Sequence, residues 1–252
     1  MAIIELRAWY LEHYEPLREV VQRPHDLRLS RSSLLKSGLR ADFLDDRQVV
    51  EAAPWFQRYL EGETIEFYLE GSGSYAIANL DLVSHEVYFT KQESSAGLEP
   101  TIFFSQQVEY APSSEALAAS LQGVIATLNR RSRLPLTLVL GDRPEAAPLR
   151  LSSNQLRAIR KSLLFIADGT PIGLASGTDR LLLSPSVCIE LGYALQCKQN
   201  QHILLVQQER LDGILPFDLP SHQQLLFNTP ADLPKVLPPL LETLLQRFNL
   251  LA

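Results

Sequence analysis

The feature that most constrains this fold is a regular alternation of short apolar runs and helix-like segments, which begins near residue 100. The apolar runs lie at residues 101–105, 134–140, 162–167, 202–206 and 225–227, and the helical patterns at 113–131, 153–161, 184–197 and 234–250. The run at 162–167 is nearly all apolar, which is typical of a parallel strand covered on both faces. Because strand–helix–strand crossovers are right-handed, the alternation predicts a three-layer α/β sandwich with a parallel sheet over residues 98–252.

Residues 1–97 follow a different pattern, with helical periodicity first and strand-like composition later. Apolar and aromatic residues recur at helical intervals in 4–21, 30–44 and 47–60. Three segments rich in aromatic and β-branched residues follow at 64–69, 75–82 and 85–90. We therefore expect a small α+β N-terminal domain with an antiparallel meander, followed by a polar connector at 91–97. The sequence predicts no role for this domain.

The charge of the chain is acidic and unevenly distributed. The net charge is −6, and residues 1–100 carry 10 Lys and Arg against 17 Asp and Glu, whereas residues 101–252 carry 13 against 12. This balance argues against a nucleic-acid or anionic-membrane binder, which needs a basic surface. The acidic N-terminal half is instead suited to docking a protein partner.

The cysteine content and the hydropathy indicate a cytoplasmic protein. The two cysteines, Cys188 and Cys197, lie nine positions apart on one predicted helix, on opposite sides, so they can neither form a disulfide nor share a metal. Two unpaired thiols are typical of a reducing compartment. The N-terminus meets charge at Glu5 and lacks the apolar core of a signal peptide, and no uncharged apolar run reaches the ~18 residues of a membrane helix.

Glu190 is the candidate functional carboxylate. Ser184 followed by Pro185 predicts a helix start, and helical spacing places Glu190 on one stripe with Val187, Ala194 and Cys197. A carboxylate among small apolar residues, close to a helix N-terminus, is an unusual placement, which makes Glu190 a candidate for a functional acid. The alternative is a partly exposed glutamate that the helix dipole favours.

A second candidate, Asp168, follows the predicted strand at 162–167 directly. In parallel sheets, ligands bind outside the carboxyl ends of the strands, where the strand order reverses, and the helix opening at Ser184 is expected at the same edge. The alternative for Asp168 is ordinary turn chemistry, because Gly169 follows it. The five histidines are scattered without metal-ligand spacing, so we predict no metal site.

Four motifs of the second half occur in a recognisable succession. They are Ala167-Asp168-Gly169-Thr170, Ser184-Pro185-Ser186-Val187, Glu190-Leu191-Gly192-Tyr193-Ala194 and Pro216-Phe217-Asp218-Leu219. Together they give residues 100–252 a resemblance to the bacterial TIR-like nucleotide-binding domains, which are related in fold to the nucleoside 2-deoxyribosyltransferases. The resemblance implies a Rossmann-like sheet of flavodoxin-like or TIR-like type.

The resemblance also implies site residues. In those families the glutamate of this helix acts at the ribosyl carbon when an N-glycosidic bond is broken, as in NAD cleavage or base exchange, and that catalytic role falls on Glu190. A positioned carboxylate can stabilise or attack the oxocarbenium-like centre. The acid after the third strand, here Asp168, lies near the ligand in those families. We add Ser105 and Ser184 as hydrogen-bonding groups and Asp218 as a further ligand-binding candidate, the last with the alternative of shaping the loop after the fourth strand.

Three functions follow as hypotheses. The first is a binding protein for an NAD-type or nucleoside-type nucleotide, with a sensor role. The second is an N-glycosidic-bond enzyme, a hydrolase or transferase that uses Glu190. The third is a catalytically inactive interaction or assembly protein that docks a partner through its acidic N-terminal half. None of these functions requires a cofactor. The sequence is compatible with a homo-oligomer but does not determine the oligomeric state.

Overall fold

The computed structural model describes residues 5–30, 38–91, 97–143, 151–248 and 250–251. The chain divides into two compact units, Met1–Leu98 and Glu99–Ala252. No helix among the described residues is long and apolar enough to cross a membrane.

The N-terminal unit is a six-stranded antiparallel sheet that closes on itself in the order β1-β2-β3-β6-β5-β4. Its elements are β1 (Glu5–Leu11), α1 (Leu17–Val20), β2 (Leu27–Ser30), β3 (Gly38–Phe43), α2 (Arg47–Glu51), α3 (Pro54–Leu60), β4 (Glu66–Leu69), β5 (Gly73–Asp81) and β6 (Glu86–Lys91). The predicted meander is confirmed as β4-β5-β6. The core of this unit packs Trp55 of α3 against Phe67 of β4, with ring centroids 5.1 Å apart.

The predicted helices at 4–21 and 30–44 are wrong. The described parts of these segments form β1, the short helix α1 and β3, and residues 31–37 of the second lie outside the described ranges. Pro16 stands at the N-cap of α1 and therefore begins a short helix instead of interrupting a long one. Pairing of β1 with both β2 and β4 closes the sheet, and this non-local pairing overrides the local helical spacing.

The C-terminal unit confirms the predicted α/β class. Its strands are β7 (Glu99–Ser105), β8 (Thr137–Leu140), β9 (Ser162–Asp168), β10 (Gly173–Leu174), β11 (Leu181–Leu182), β12 (Ile203–Gln208) and β13 (Gln224–Phe227). Its α-helices are α4 (Ala111–Leu128), α5 (Ser153–Lys161), α6 (Pro185–Cys197) and α7 (Leu233–Gln246). Five of these strands form the parallel sheet β13-β12-β9-β7-β8, and β10 and β11 form a separate antiparallel pair.

The strand order sets the place where a ligand is expected. In chain order the five parallel strands are arranged 2-1-3-4-5, the flavodoxin-like order, and the direction of winding reverses between β7 and β9. Helix α4 packs against α7 and α5 packs against α6, so the two helix pairs cover opposite faces of the sheet. The connection from β12 to β13 contains only a 3-10 turn, Ser221–Gln223, in place of a helix.

His202 gives this unit a pH-dependent stability. It ends the 3-10 turn Asn200–His202 before β12, and its ring lies 5.1 Å from that of Phe248. Burial, with the cations Lys198 and Arg247 nearby, lowers the pKa of His202 to about 4. The unfolded chain binds the proton near pH 6.5, so the free energy of unfolding falls as the pH drops from 6.5 to 4, by about 1–2 kcal/mol for a partly exposed ring.

Chemical denaturation between pH 4 and 7 measures this loss. We expect His202→Gln to flatten the decline and His222→Gln to leave it unchanged, because His222 is exposed in the comparable turn Ser221–Gln223. If the unfolding free energies of the wild type and His202→Gln fall equally with pH, the loss of stability does not come from His202.

Candidate functional site

Glu190 lies at the carboxyl edge of the parallel sheet and is fully buried. It is the sixth residue of α6, on a buried stripe with Val187 and Ala194, as the spacing predicts. The alternative of a partly exposed glutamate is therefore wrong. A buried carboxylate needs a counter-charge and hydrogen-bond donors, and the surrounding elements supply both.

Arg143 is the counter-charge. Its Nη1 lies 2.7 Å from Glu190 Oε1 and its Nη2 lies 2.9 Å from Glu190 Oε2, which makes a bidentate ion pair. The Arg143 side chain is itself only 7% exposed. Bidentate guanidinium–carboxylate pairs fix direction as well as charge, so this contact holds the carboxylate in one orientation.

Two neutral side chains complete the shell around Glu190. The Ser105 hydroxyl donates to Oε2, and the Gln155 amide donates through Nε2 to Oε1. With the two nitrogens of Arg143, four donors reach the two carboxylate oxygens, which have about four lone-pair directions between them. The carboxylate is therefore saturated by side chains of this chain.

The guanidinium of Arg143 is saturated as well. Its Nε donates to the carbonyl of Gln106 at 2.7 Å, and its Nη1 also donates to the carbonyl of Asp142 at 2.7 Å. The side chain of Gln106 donates in turn to the carbonyl of Gly141 at 3.0 Å. The loops after β7 and β8 are thus tied together through one arginine.

Local structure explains how these residues meet. Ser105 is the last residue of β7, and Gly141 follows β8 with its amide donating to Phe104 of the adjacent strand at 2.9 Å. Gln155 is the third residue of α5, and its backbone N–H donates to the hydroxyl of the N-cap residue Ser152 at 3.2 Å. Parallel strands end at one edge and their following helices begin there, so three separate segments converge on Glu190 of α6.

Gly141 makes room for the ion pair. A Cβ atom at this position would lie 3.0 Å from Arg143 Nη1 and 3.2 Å from Glu190 Oε1. We expect Gly141→Ala to destabilise the fold by about 1–2 kcal/mol through overpacking. Gly192→Ala on α6, where a Cβ meets nothing within 4 Å, should stabilise it by about 0.5–1 kcal/mol. Thermal unfolding distinguishes the two signs, and a stabilising Gly141→Ala would contradict the packing argument.

Asp168 belongs to a separate network. Its carboxylate accepts from Ser113 Oγ at 3.1 Å, from Ser114 Oγ at 2.7 Å and from the Thr170 amide at 3.0 Å, and it is fully buried. The sequence favours Ser113 or Ser114 as the cap of α4, but Tyr110 is the N-cap and both serines lie in the first turn. Asp168 therefore places a negative charge at the positive end of α4.

The other predicted site residues do not reach Glu190. Ser184 is buried at the N-cap of α6, where its hydroxyl pairs with that of Ser186 at 2.8 Å. Asp218 is exposed in the loop after β12, where it lines a cavity of about 540 Å³ with Arg180 and apolar neighbours. Among the residues the structure describes, Ser105 alone of the predicted ligand-binding residues is hydrogen-bonded to Glu190.

In the part of the chain that the structure describes, neither the cysteines nor the metal-ligating residues form a further cluster. Burial raises the pKa of the Cys188 thiol, with a smaller contribution from Glu109, and burial also raises that of Cys197. Both are free thiols with weak nucleophilicity at neutral pH. Within the described ranges, no group of three or more histidine, cysteine or acidic side chains is placed to hold a metal ion.

Sequence reasoning missed Arg143 and Gln155. One usable signal was that residues 141–143 follow a predicted strand directly, at the edge where Glu190 was also expected. No periodicity marks Gln155, because a polar residue in the first turn of a helix is ordinary.

Comparison of this chain with protein-family models, with curated proteins and with solved structures finds no match in any of the three. The likeness to TIR-like and deoxyribosyltransferase-like domains therefore rests on the sequence motifs alone.

Proposed function

We propose that the C-terminal unit binds a nucleoside or nucleotide at the carboxyl edge of its parallel sheet, beside Glu190. The observation that carries the proposal is the buried pair of Glu190 and Arg143, joined by Ser105, next to the strand β7 at which the winding reverses. This is the position where sheets of this strand order hold their ligands.

The free-energy cost of burying the ion pair supports a functional role for it. Burying two charges is expensive, and apolar side chains of similar volume commonly give equal or greater stability. A pair of charges beneath the ligand-binding edge is therefore better explained by recognition than by folding.

An unsatisfied acceptor lies in the same shell. Gln155 is 7% exposed, and its Oε1 is buried without a hydrogen-bond partner in the part of the chain that the structure describes. Its Nε2 is held by Glu190, which fixes the orientation of the amide. Buried polar atoms are normally paired, so a lone acceptor beside a carboxylate supports a binding site for a ligand with O–H or N–H donors.

A ribose offers suitable donors. Carboxylates in nucleotide-binding sheets accept hydrogen bonds from ribose hydroxyls. Among the described residues of this shell, Oε1 of Gln155 is a free acceptor, and the oxygens of Glu190 accept from a ribose only where they lose the nitrogens of Arg143. We include a cytoplasmic location in the proposal, because both cysteines are free thiols.

Binding is favoured over turnover. With four donors on its oxygens, Glu190 has no free lone pair with which to attack a ribosyl carbon. Cleavage of an N-glycosidic bond by this residue requires that Arg143 first move away. We therefore put the sensor role before the N-glycosidic-bond enzyme.

Thermal shift with NAD, adenosine and deoxyadenosine tests the proposal. A ligand at ~100 times its dissociation constant adds ~2.7 kcal/mol to the stability of the protein that binds it. We expect at least one of the three to raise the melting temperature of the wild type. Ser105→Ala, which keeps the ion pair, should reduce that rise, whereas the exposed Asp218→Ala should not.

Three outcomes are decisive. No shift with any of the three at millimolar concentration overturns the proposal. Release of free base, seen by chromatography and absent in Glu190→Gln, selects the enzyme. A protein partner captured only when residues 1–98 are present, with no ligand shift, selects the interaction protein.

A further inference from the structure

In the ion pair, a phosphate group can replace the carboxylate as the partner of the guanidinium. A guanidinium pairs with a phosphate in the same bidentate way in which Arg143 pairs with the carboxylate of Glu190. We infer that Arg143 blocks Glu190 in the free protein, a contact that we call the latch. The phosphate of a nucleotide replaces Glu190 as the partner of the guanidinium, and the carboxylate then binds the ribose. The inference rests on the proposed function and narrows its ligand to phosphorylated nucleosides.

The contacts of Arg143 divide into two kinds. Its Nε and one bond of Nη1 go to the backbone carbonyls of Gln106 and Asp142, in the loops after β7 and β8. The remaining bonds go to Glu190 and, at 3.5 Å, to Ser105. The carbonyls can keep the guanidinium at the edge of the sheet while its ionic partner is exchanged.

Glu190 retains partners after the exchange. Ser105 and Gln155 continue to donate to its two oxygens, and the hydroxyls of a ribose can replace the two nitrogens of Arg143. Opening the pair leaves both the carboxylate and the guanidinium without their ionic partner, and each loss costs several kcal/mol. A phosphate compensates the loss at Arg143. A nucleoside that lacks a phosphate offers Arg143 nothing in return, so it should bind more weakly.

A second cation lies at the same edge of the sheet. Arg210 follows β12, donates to the carbonyl of Pro171 at 2.7 Å, and lies over the ring of Tyr110, with its Cζ 4.1 Å from the ring centroid. Tyr110 is the N-cap of α4. When the pair with Glu190 opens, Arg143 and Arg210 place two cations after the carboxyl ends of β8 and β12, where both can attract an anionic group.

The test compares adenosine with AMP on four proteins by isothermal calorimetry. The proteins are the wild type, Arg143→Lys, Ser105→Ala and Arg180→Lys, the last a matched control on an exposed arginine. We expect the wild type to bind AMP at least 10-fold more tightly than adenosine. Arg143→Lys keeps the positive charge but loses the two-nitrogen fork, and should reduce that ratio to below about 3-fold.

The controls separate the latch from the binding site. Ser105→Ala should weaken adenosine and AMP alike and keep their ratio, and Arg180→Lys should change neither. If AMP binds no more tightly than adenosine, or if Arg143→Lys keeps the wild-type ratio, the latch is wrong and the nucleoside site stands. If neither compound binds the wild type, the proposed function itself fails.

Discussion

Arg143→Met is expected to destabilise the C-terminal unit by about 3–5 kcal/mol. The substitution leaves the carboxylate of Glu190 fully buried without its counter-charge, with the hydrogen bonds from Ser105 and Gln155 still in place. Removal of one partner of a buried ion pair costs this much because the other charge remains desolvated. Urea denaturation followed by circular dichroism at 222 nm measures the change, since most helical residues belong to the C-terminal unit.

The matched control removes both charges. In the double variant Arg143→Met with Glu190→Gln, the remaining amide can still bond to Ser105 and Gln155, and no buried charge is left. We expect it to recover at least half of the stability lost by Arg143→Met. A loss below 1 kcal/mol in the single variant would contradict the buried pair.

Asp168→Ala is expected to cost about 3 kcal/mol. The change removes the acceptor of the Ser113 and Ser114 hydroxyls and of the Thr170 amide, all in a buried network, and it removes the negative charge at the start of α4. Thermal and urea unfolding measure the loss. Asp168→Asn retains one carbonyl acceptor and should cost about 1 kcal/mol.

This experiment decides between a ligand-binding role for Asp168 and the structural role at α4 that its hydrogen bonds indicate. A residue that binds a ligand has unfilled hydrogen-bonding positions when the ligand is absent, so its replacement by alanine leaves the stability unchanged or raises it. A residue that organises α4 loses stability when it is replaced. The exposed Asp218→Ala should stay within about 0.5 kcal/mol of the wild type and serves as the reference.

Local pattern was sufficient for most of the C-terminal unit. The 153–161 helix coincides with α5, and the nearly all-apolar run at 162–167 coincides with β9 up to Asp168. These segments carry their structure in their own composition, because a strand covered on both faces must be apolar throughout and a helix must bury one stripe. The burial of Glu190 with Val187 and Ala194 follows from the same period.

Local pattern failed where pairing is non-local. In the N-terminal unit, the spacing of apolar residues in 4–21 fits a helix, yet β1 pairs with β2 and with β4 across the closed sheet. Spacing along the chain contains no information about such partners, and the short strands of this unit make the periods of helix and strand hard to distinguish.

The sequence by itself determined the succession of strands and helices along the chain after residue 98. It also determined the edge of the sheet at which the candidate acids lie. Only the tertiary structure decided that Arg143 neutralises Glu190, 47 positions along the chain, and that Asp168 is engaged by Ser113 and Ser114 of α4. The physical reason is that helical and strand periods are local properties of the chain. The partner of a buried charge depends on which loops the fold brings together.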